Sequence, residues 1–200
     1  NYSGAIYYNF NREENVLKEY IPSSNTIHIG VDFNLDPMSA VVSEVKQDYL
    51  YVYDEIVIYG SNTDELVEEI NNRYSGKHIF VYPDPASKQR KTSAGGRTDL
   101  SILKNAGFNV RVRNAHPLVR DRINAVNTKL KNTKGVRTLF IANKCKNVIK
   151  SIERQIYKEG TSLPDKENNY DHMNDALGYL IEFLYPIRTH FKPSPPKRFS

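Results

Sequence analysis

Three runs of β-branched and aromatic residues follow one another through short turns, and this order constrains the fold more than any other feature of the chain. They are residues 26–33 (TIHIGVDF), 38–45 (MSAVVSEV) and 49–60 (YLYVYDEIVIYG). Such runs favour strands, and with only turn residues between them they predict an antiparallel meander. Residues 62–74 (NTDELVEEINNRY) then read as a helix. Asn62 or Thr63 caps it, acids fill its first turn, and Leu66, Val67 and Ile70 form its apolar face. A fourth strand is expected at 77–84 (KHIFVYPD), a capped helix at 98–107 and a strand at 108–113 that exposes Arg111 and Arg113. A long helix follows at 116–132 with Pro117 in its first turn. Residues 136–143 read as a further strand and 145–160 as a helix, with Val148, Ile149, Ile152 and Ile156 at helical spacing. The last helix is 170–183 (YDHMNDALGYLIEF). Strands that first meander and then alternate with helices predict a mixed sheet with helices on its faces.

Charge is distributed unevenly along this pattern. Residues 86–150 carry 16 Lys and Arg against two acids, Asp99 and Asp121, within a chain whose net charge is only +5. A basic middle on an otherwise acidic chain points to a polyanionic partner on one face. The single cysteine, Cys145, excludes an intrachain disulfide and a cysteine-based zinc site, and suits a reducing compartment. No apolar run reaches the roughly 18 residues that a membrane span requires. No G-x-x-x-x-G-K-[ST] loop is present, so the chain has no recognisable P-loop ATPase.

The chemistry is carried by carboxylates. Asp32 lies in a strand-like run rich in apolar residues, where an ionised side chain is costly unless paired or bound to a metal. Asp84 ends the fourth strand within YPDPA, and sites of open α/β sheets gather at strand C-termini. If the first and fourth strands are neighbours, these two project from one edge, and Asp175, one turn into the last helix, completes a cluster. Hard oxygen donors of this kind suit Mg²⁺ or Mn²⁺. Two such ions about 3.5–4 Å apart support phosphodiester hydrolysis. Taken singly, each acid has a plainer reading: Asp84 as a turn residue, Asp171 as a helix N-cap, Asp32 as a paired buried acid.

The ordered set IGVDF (29–33), VYPDPA (81–86), TSAGGRTDLSILKNAGFNV (92–110) and DHMNDALGYLI (171–181) resembles a known family. It is similar to the C-terminal nuclease domain of the large terminase subunit of tailed double-stranded DNA phages, over about residues 26–185. The resemblance implies an α/β, RNase H-like fold: a central mixed sheet of three antiparallel strands and then parallel strands, with helices on both faces. It implies an endonuclease site holding two Mg²⁺ or Mn²⁺ ions. Asp32 corresponds to the central ligand, Asp84 to the fourth-strand carboxylate and Asp175 to the helix ligand. His172, three residues before Asp175, matches a histidine near the metal, and the pattern admits Asp171 as a ligand as well as a cap. By the same resemblance, residues 1–25 are an extension or linker from an ATPase domain, 26–185 the nuclease domain, and 186–200, with four prolines, a tail. The implied partners are double-stranded DNA, that ATPase domain, the small terminase subunit and the portal, in the host cytoplasm and without a membrane.

The loop 85–99 is long and almost without apolar residues. Its Lys88, Arg90, Lys91 and Arg97 are placed to hold DNA phosphates beside Asp84, and Arg111, Arg113, Arg120 and Arg122 extend that track. Asp36 belongs to a turn, and His28 and His116 have no partner visible in sequence and read as structural. Two other functions remain open at this level: an RNase H-like resolvase or transposase, and a DNA-binding module without activity. The GGRTD loop after the second carboxylate favours the terminase.

Overall fold

The computed structural model describes residues 4–34, 36–88 and 97–187. Strands β1 (Val16–Leu17), β2 (Thr26–Asp32), β3 (Met38–Lys46), β4 (Tyr49–Ile58), β5 (His78–Pro83), β6 (Asn109–Val110) and β7 (Leu139–Ala142) form one sheet in the order β1-β7-β4-β3-β2-β5-β6. β2, β3 and β4 are the predicted antiparallel meander. β5 runs parallel to β2, β6 to β5, β7 to β4 and β1 to β7. The helices are α1 (Arg12–Asn15), α2 (Thr63–Tyr74), α3 (Asp99–Asn105), α4 (Val119–Leu130), α5 (Lys146–Arg154) and α6 (Asp171–Leu184).

Cross-strand partners share a sheet face, so the register sorts the helices. Asp32 pairs with Ser39, and Val41 pairs with Glu55, which accepts from the backbone N–H groups of Asn147 and Val148 at the start of α5. That face therefore carries α5, and with it α6, which lies across β2, β3 and β5. Val42 pairs with Asp54 on the opposite face, where Asp54 meets Tyr74 and Arg73 at the end of α2. α2 itself begins with a capping box between Asn62 and Glu65.

Helix α6 is the central helix of its layer. Met173, Ala176, Leu177, Leu180 and Ile181 are buried at the i, i+3, i+4, i+7, i+8 spacing of an apolar helical face. It rests so close to β2 that a Cβ on Gly30 would stand 2.1 Å from the carbonyl oxygen of Ala176 and 3.0 Å from the Cβ of Leu180. The absent side chain of Gly30 is what permits this approach, and with it the distance between the end of β2 and the start of α6.

Several elements differ from their sequence reading for local reasons. β6 is two residues long, because Arg111 ends the pairing with a last bond to Val81. α4 starts at Val119, beyond Pro117, with Leu118 still extended. α5 ends at Arg154, where the chain leaves the helix and Gln155 accepts from Ile6. Ile156, read as part of that helix's apolar face, is bridged to Ala5 instead. Residues 4–25 lie against the sheet: Ile6 is fully buried, and Asn15 donates to Leu130 and Leu139 beside β1.

Residues 20–24 are tied to the α2 face by one carboxylate. Glu44, 1% exposed, accepts from the hydroxyl of Tyr20 and the backbone N–H groups of Ser23 and Ser24. Burial pushes its pKa up, but these hydrogen bonds outweigh burial and hold it below the usual value. A depressed carboxyl contributes stability that is complete above its unfolded value and lost as pH falls through the folded value. Glu44→Gln is thus expected to lower stability by about 1–3 kcal/mol at neutral pH. The gap from wild type should close as the pH falls below about 4. Urea denaturation at several pH values measures this; a gap independent of pH would contradict it.

Candidate active site

β2 and β5 are parallel neighbours, and both end at the same edge. Val31 is paired with Pro83, and the backbone N–H of Asp84 donates to Val31. Asp32, the last residue of β2, and Asp84, just past β5, therefore emerge side by side, each 8% exposed. The N-terminal turn of α6 faces them. His172 Nδ1 lies 2.9 Å from Asp32 Oδ2, and its Nε2 lies 3.0 Å from Asn34 Nδ2. A cleft of about 380 Å³ is lined by Asp32, Asn34, Asp84, Asp171, His172 and Asp175 among others.

The electrostatics of this cleft are those of an acid cluster short of positive charge. Burial pushes the Asp32 pKa up; its bond to His172 pulls it down, and the charges of Asp175 and Asp84 push it up again, for a net rise. His172 is raised too, first by that same bond and further by Asp171 and Asp175, against its own burial. The partners do not move in opposite directions as a simple ion pair would. The direction that matters is that of Asp32, since burial, with the neighbouring carboxylates added to it, outweighs the one imidazole beside it.

Asp171 was expected to cap α6. Instead Tyr170 occupies the cap position, without a side-chain cap bond, and Asp171 is the first helical residue. Its carboxylate is turned into the protein at 4% exposure, with Lys166 Nζ 3.5 Å from Oδ2. Among the described residues, Oδ1 accepts no hydrogen bond, and His172 Nε2 lies 3.8 Å from it. Asp175, one turn later, gives Oδ1 to Arg122 Nη1 at 2.8 Å.

The basic residues fall into different places. Lys88 closes a 3-10 turn (Pro85–Lys88) directly after Asp84 and donates to Asn114 Oδ1 at 3.2 Å. Arg97 is paired with Asp64 of α2 at 3.1 Å and is held there rather than over the carboxylates. Arg90 and Lys91 lie outside the described residues. Arg122 is not part of a surface track, because its helical position turns it inward to α6, and Arg113 is engaged by Glu182. His28 bonds to the hydroxyl of Tyr82 and stacks on Phe80, a structural role. His116, read as partnerless, lies with Nδ1 3.4 Å from Asp84 Oδ1. Nothing in the sequence signals that contact, since the β6–α4 loop reaches Asp84 only through the sheet order. Arg122 did leave a signal: it falls on the stripe Val119, Ile123, Val126, Leu130, where a charge requires a buried partner.

The donor set fits divalent cations that prefer oxygen: four carboxylates and one imidazole on one cleft, with a buried oxygen of Asp171 that takes no hydrogen bond from a described residue. Among the described residues no three acidic, His or Cys side chains are gathered as a ready-made ion cage. Asp32 and Asp175 are instead engaged by His172 and Arg122, which take the place of positive charge. No described helix is long and apolar enough to cross a membrane.

Comparison with curated proteins finds no match. Among solved structures, the large terminase of a thermophilic bacteriophage superposes with a TM-score of 0.72 at 20% identity, covering 90% of this chain. The chain spans 45% of the length of that protein. The P22 large terminase nuclease domain gives a TM-score of 0.66 at 14% identity, covering 90% of this chain and 93% of that one. The nuclease domain of the large terminase from bacteriophage SPP1, with bound Mn, gives 0.57 at 16% identity, covering 84% and 96%. These likenesses are likenesses of fold. The sequence itself matches the family described as "Terminase RNaseH-like domain" over residues 29–183. With that match spanning most of the chain, the chain belongs to the terminase RNase H-like domain family.

Proposed function

We propose that this chain is a metal-dependent endonuclease that cuts double-stranded viral DNA during genome packaging, with little sequence preference. The observation that carries the reading is the convergence of Asp32, Asp84, Asp171, Asp175 and His172 on one cleft at the carboxyl edge of β2 and β5. Family membership adds support, as does the Mn bound in the SPP1 relative. Asp32, Asp84 and Asp175, with Asp171 beside them, would hold two Mg²⁺ or Mn²⁺ ions. When bound, such ions activate a water and stabilise the leaving 3′ oxygen of a phosphodiester. The protein's share is to hold the carboxylates rigidly on a strand end, a turn and a helix start. His172 orients Asp32 through Nδ1, and Asn34 fixes the other ring nitrogen. Lys88, Arg90 and Lys91 would contact backbone phosphates, which carry no sequence information, and this suits a cut without sequence preference. In the longer protein, the chain would act beside an ATPase domain, a small terminase subunit and the portal, in the host cytoplasm. Residues 26–185 would form the nuclease domain there, with residues 1–25 leading in and 186–200 leading out.

Incubation with supercoiled plasmid in Mn²⁺, Mg²⁺ or EDTA tests this. Nicking and linearisation in the metal lanes alone are expected. Plasmid retained on a filter but uncut in every lane would favour a DNA-binding module without activity. Cleavage confined to branched DNA would favour a resolvase.

A further inference from the structure

Arg122 is a cation buried in a seam between two helices. It sits on α4 with 8% exposure and is received by α6 in a slot one turn long. Asp175 stands at the front of the slot, Gly178 at its floor and Tyr179 at its back, at i, i+3 and i+4 on one helical face. Nη1 donates to Asp175 Oδ1, and the guanidinium carbon lies 4.4 Å from the centre of the Tyr179 ring. A Cβ on Gly178 would stand 3.5 Å from Nη1, so the guanidinium lies against the helix surface itself. Nε is buried and has no hydrogen-bond partner among the described residues.

As a stabilising device this arrangement is poor. A buried ion pair with an unsatisfied N–H is commonly matched or bettered by apolar side chains of similar volume. What the slot does achieve is orientation. One arm of the guanidinium takes Asp175 Oδ1, while no hydrogen bond from a described residue takes Oδ2. Asp175 lines the cleft it shares with Asp32 and Asp84.

We propose that Arg122 is a positioning residue: through Oδ1 it fixes the Asp175 carboxylate so that Oδ2 is presented to a divalent ion. The inference rests on the metal-nuclease reading of the same cleft. Outer partners that hold a ligating carboxylate govern metal affinity, and their loss costs about 10–100-fold.

The test is Mn²⁺ binding without DNA, followed by calorimetry and by the electron paramagnetic resonance of free Mn²⁺, for wild type, Arg122→Lys and Arg122→Met. Each variant is measured well below its own Tm, with circular dichroism recording the fold. Arg122→Met is expected to bind Mn²⁺ about 10–100-fold more weakly. Arg122→Lys, which keeps the charge but not the planar fork, should fall between the two. Unchanged affinity in both variants, with only Tm lowered, would make Arg122 merely structural and overturn the proposal. Tighter binding in Arg122→Met would overturn it in the other direction, showing that the guanidinium competes with the ion. Should Arg122→Met fail to fold, Arg122→Lys decides alone, and wild-type affinity in it sinks the idea. A wild-type chain that takes up no Mn²⁺ would overturn the metal reading itself, an outcome distinct from equal affinities across the series.

Discussion

Asp32→Asn is expected to bring metal-dependent plasmid cleavage down to background while the chain stays folded. Asp32 is the one carboxylate of the cleft that lies within a strand, and its pKa is raised first by burial and further by the charges of Asp175 and Asp84. Asparagine keeps the shape and one oxygen but removes the charge that a divalent ion requires. Metal-assisted charge stabilisation is worth several kcal/mol, and about 1.4 kcal/mol is a factor of ten, so the loss should be on the order of a thousandfold or more. The fold should survive, because the substitution removes a charge that burial already opposes. His172 provides a second reading of the same change. Its pKa is raised first by the bond to Asp32, so in Asp32→Asn its titration, followed by NMR, should move down. Cleavage equal to wild type would mean that the metal centre lies elsewhere in the chain.

Gly30→Ala is expected to be the most damaging glycine-to-alanine change among the described residues. The new Cβ would meet the Ala176 carbonyl oxygen at 2.1 Å, a backbone atom in the middle of the buried helix α6, so no side-chain rotation relieves it. Overpacking of a tight core costs about 1–3 kcal/mol, and a clash with backbone belongs at or beyond the top of that range. The helix that must move carries His172 and Asp175, so cleavage should fall together with stability. Gly178→Ala is the contrasting case in the same helix, since its Cβ meets nothing nearer than 3.5 Å. Urea denaturation of the two variants separates them, and a Gly30→Ala midpoint equal to wild type would show that α6 is free to shift.

Much of the architecture was legible because it is written in local patterns. The meander β2-β3-β4 follows from period-2 runs and short turns, and α2 from its cap and apolar stripe. Elements whose boundaries depend on a distant partner were read less well. α5 stops at Arg154 because Gln155 is needed by Ile6, near the other end of the chain. β6 is short because only Asn109 and Val110 find partners on β5.

The candidate site divides along the same line. Sequence alone determined which residues are chemically notable: an aspartate inside an apolar strand, one at a strand end, and Asp171, His172 and Asp175 at a helix start. These stand out because each breaks a local rule or sits at a terminus where polar groups belong. Which of them share a cleft was decided only by the tertiary structure. The parallel pairing of β2 with β5 and the approach of α6 over Gly30 bring together residues as far apart in the chain as Asp32 and His172, 140 positions. The contacts of His116 with Asp84 and of Arg122 with Asp175 are of the same kind. A side chain's charge and its local backbone are properties of a short segment, whereas its partners across the sheet depend on the register and packing of the whole chain.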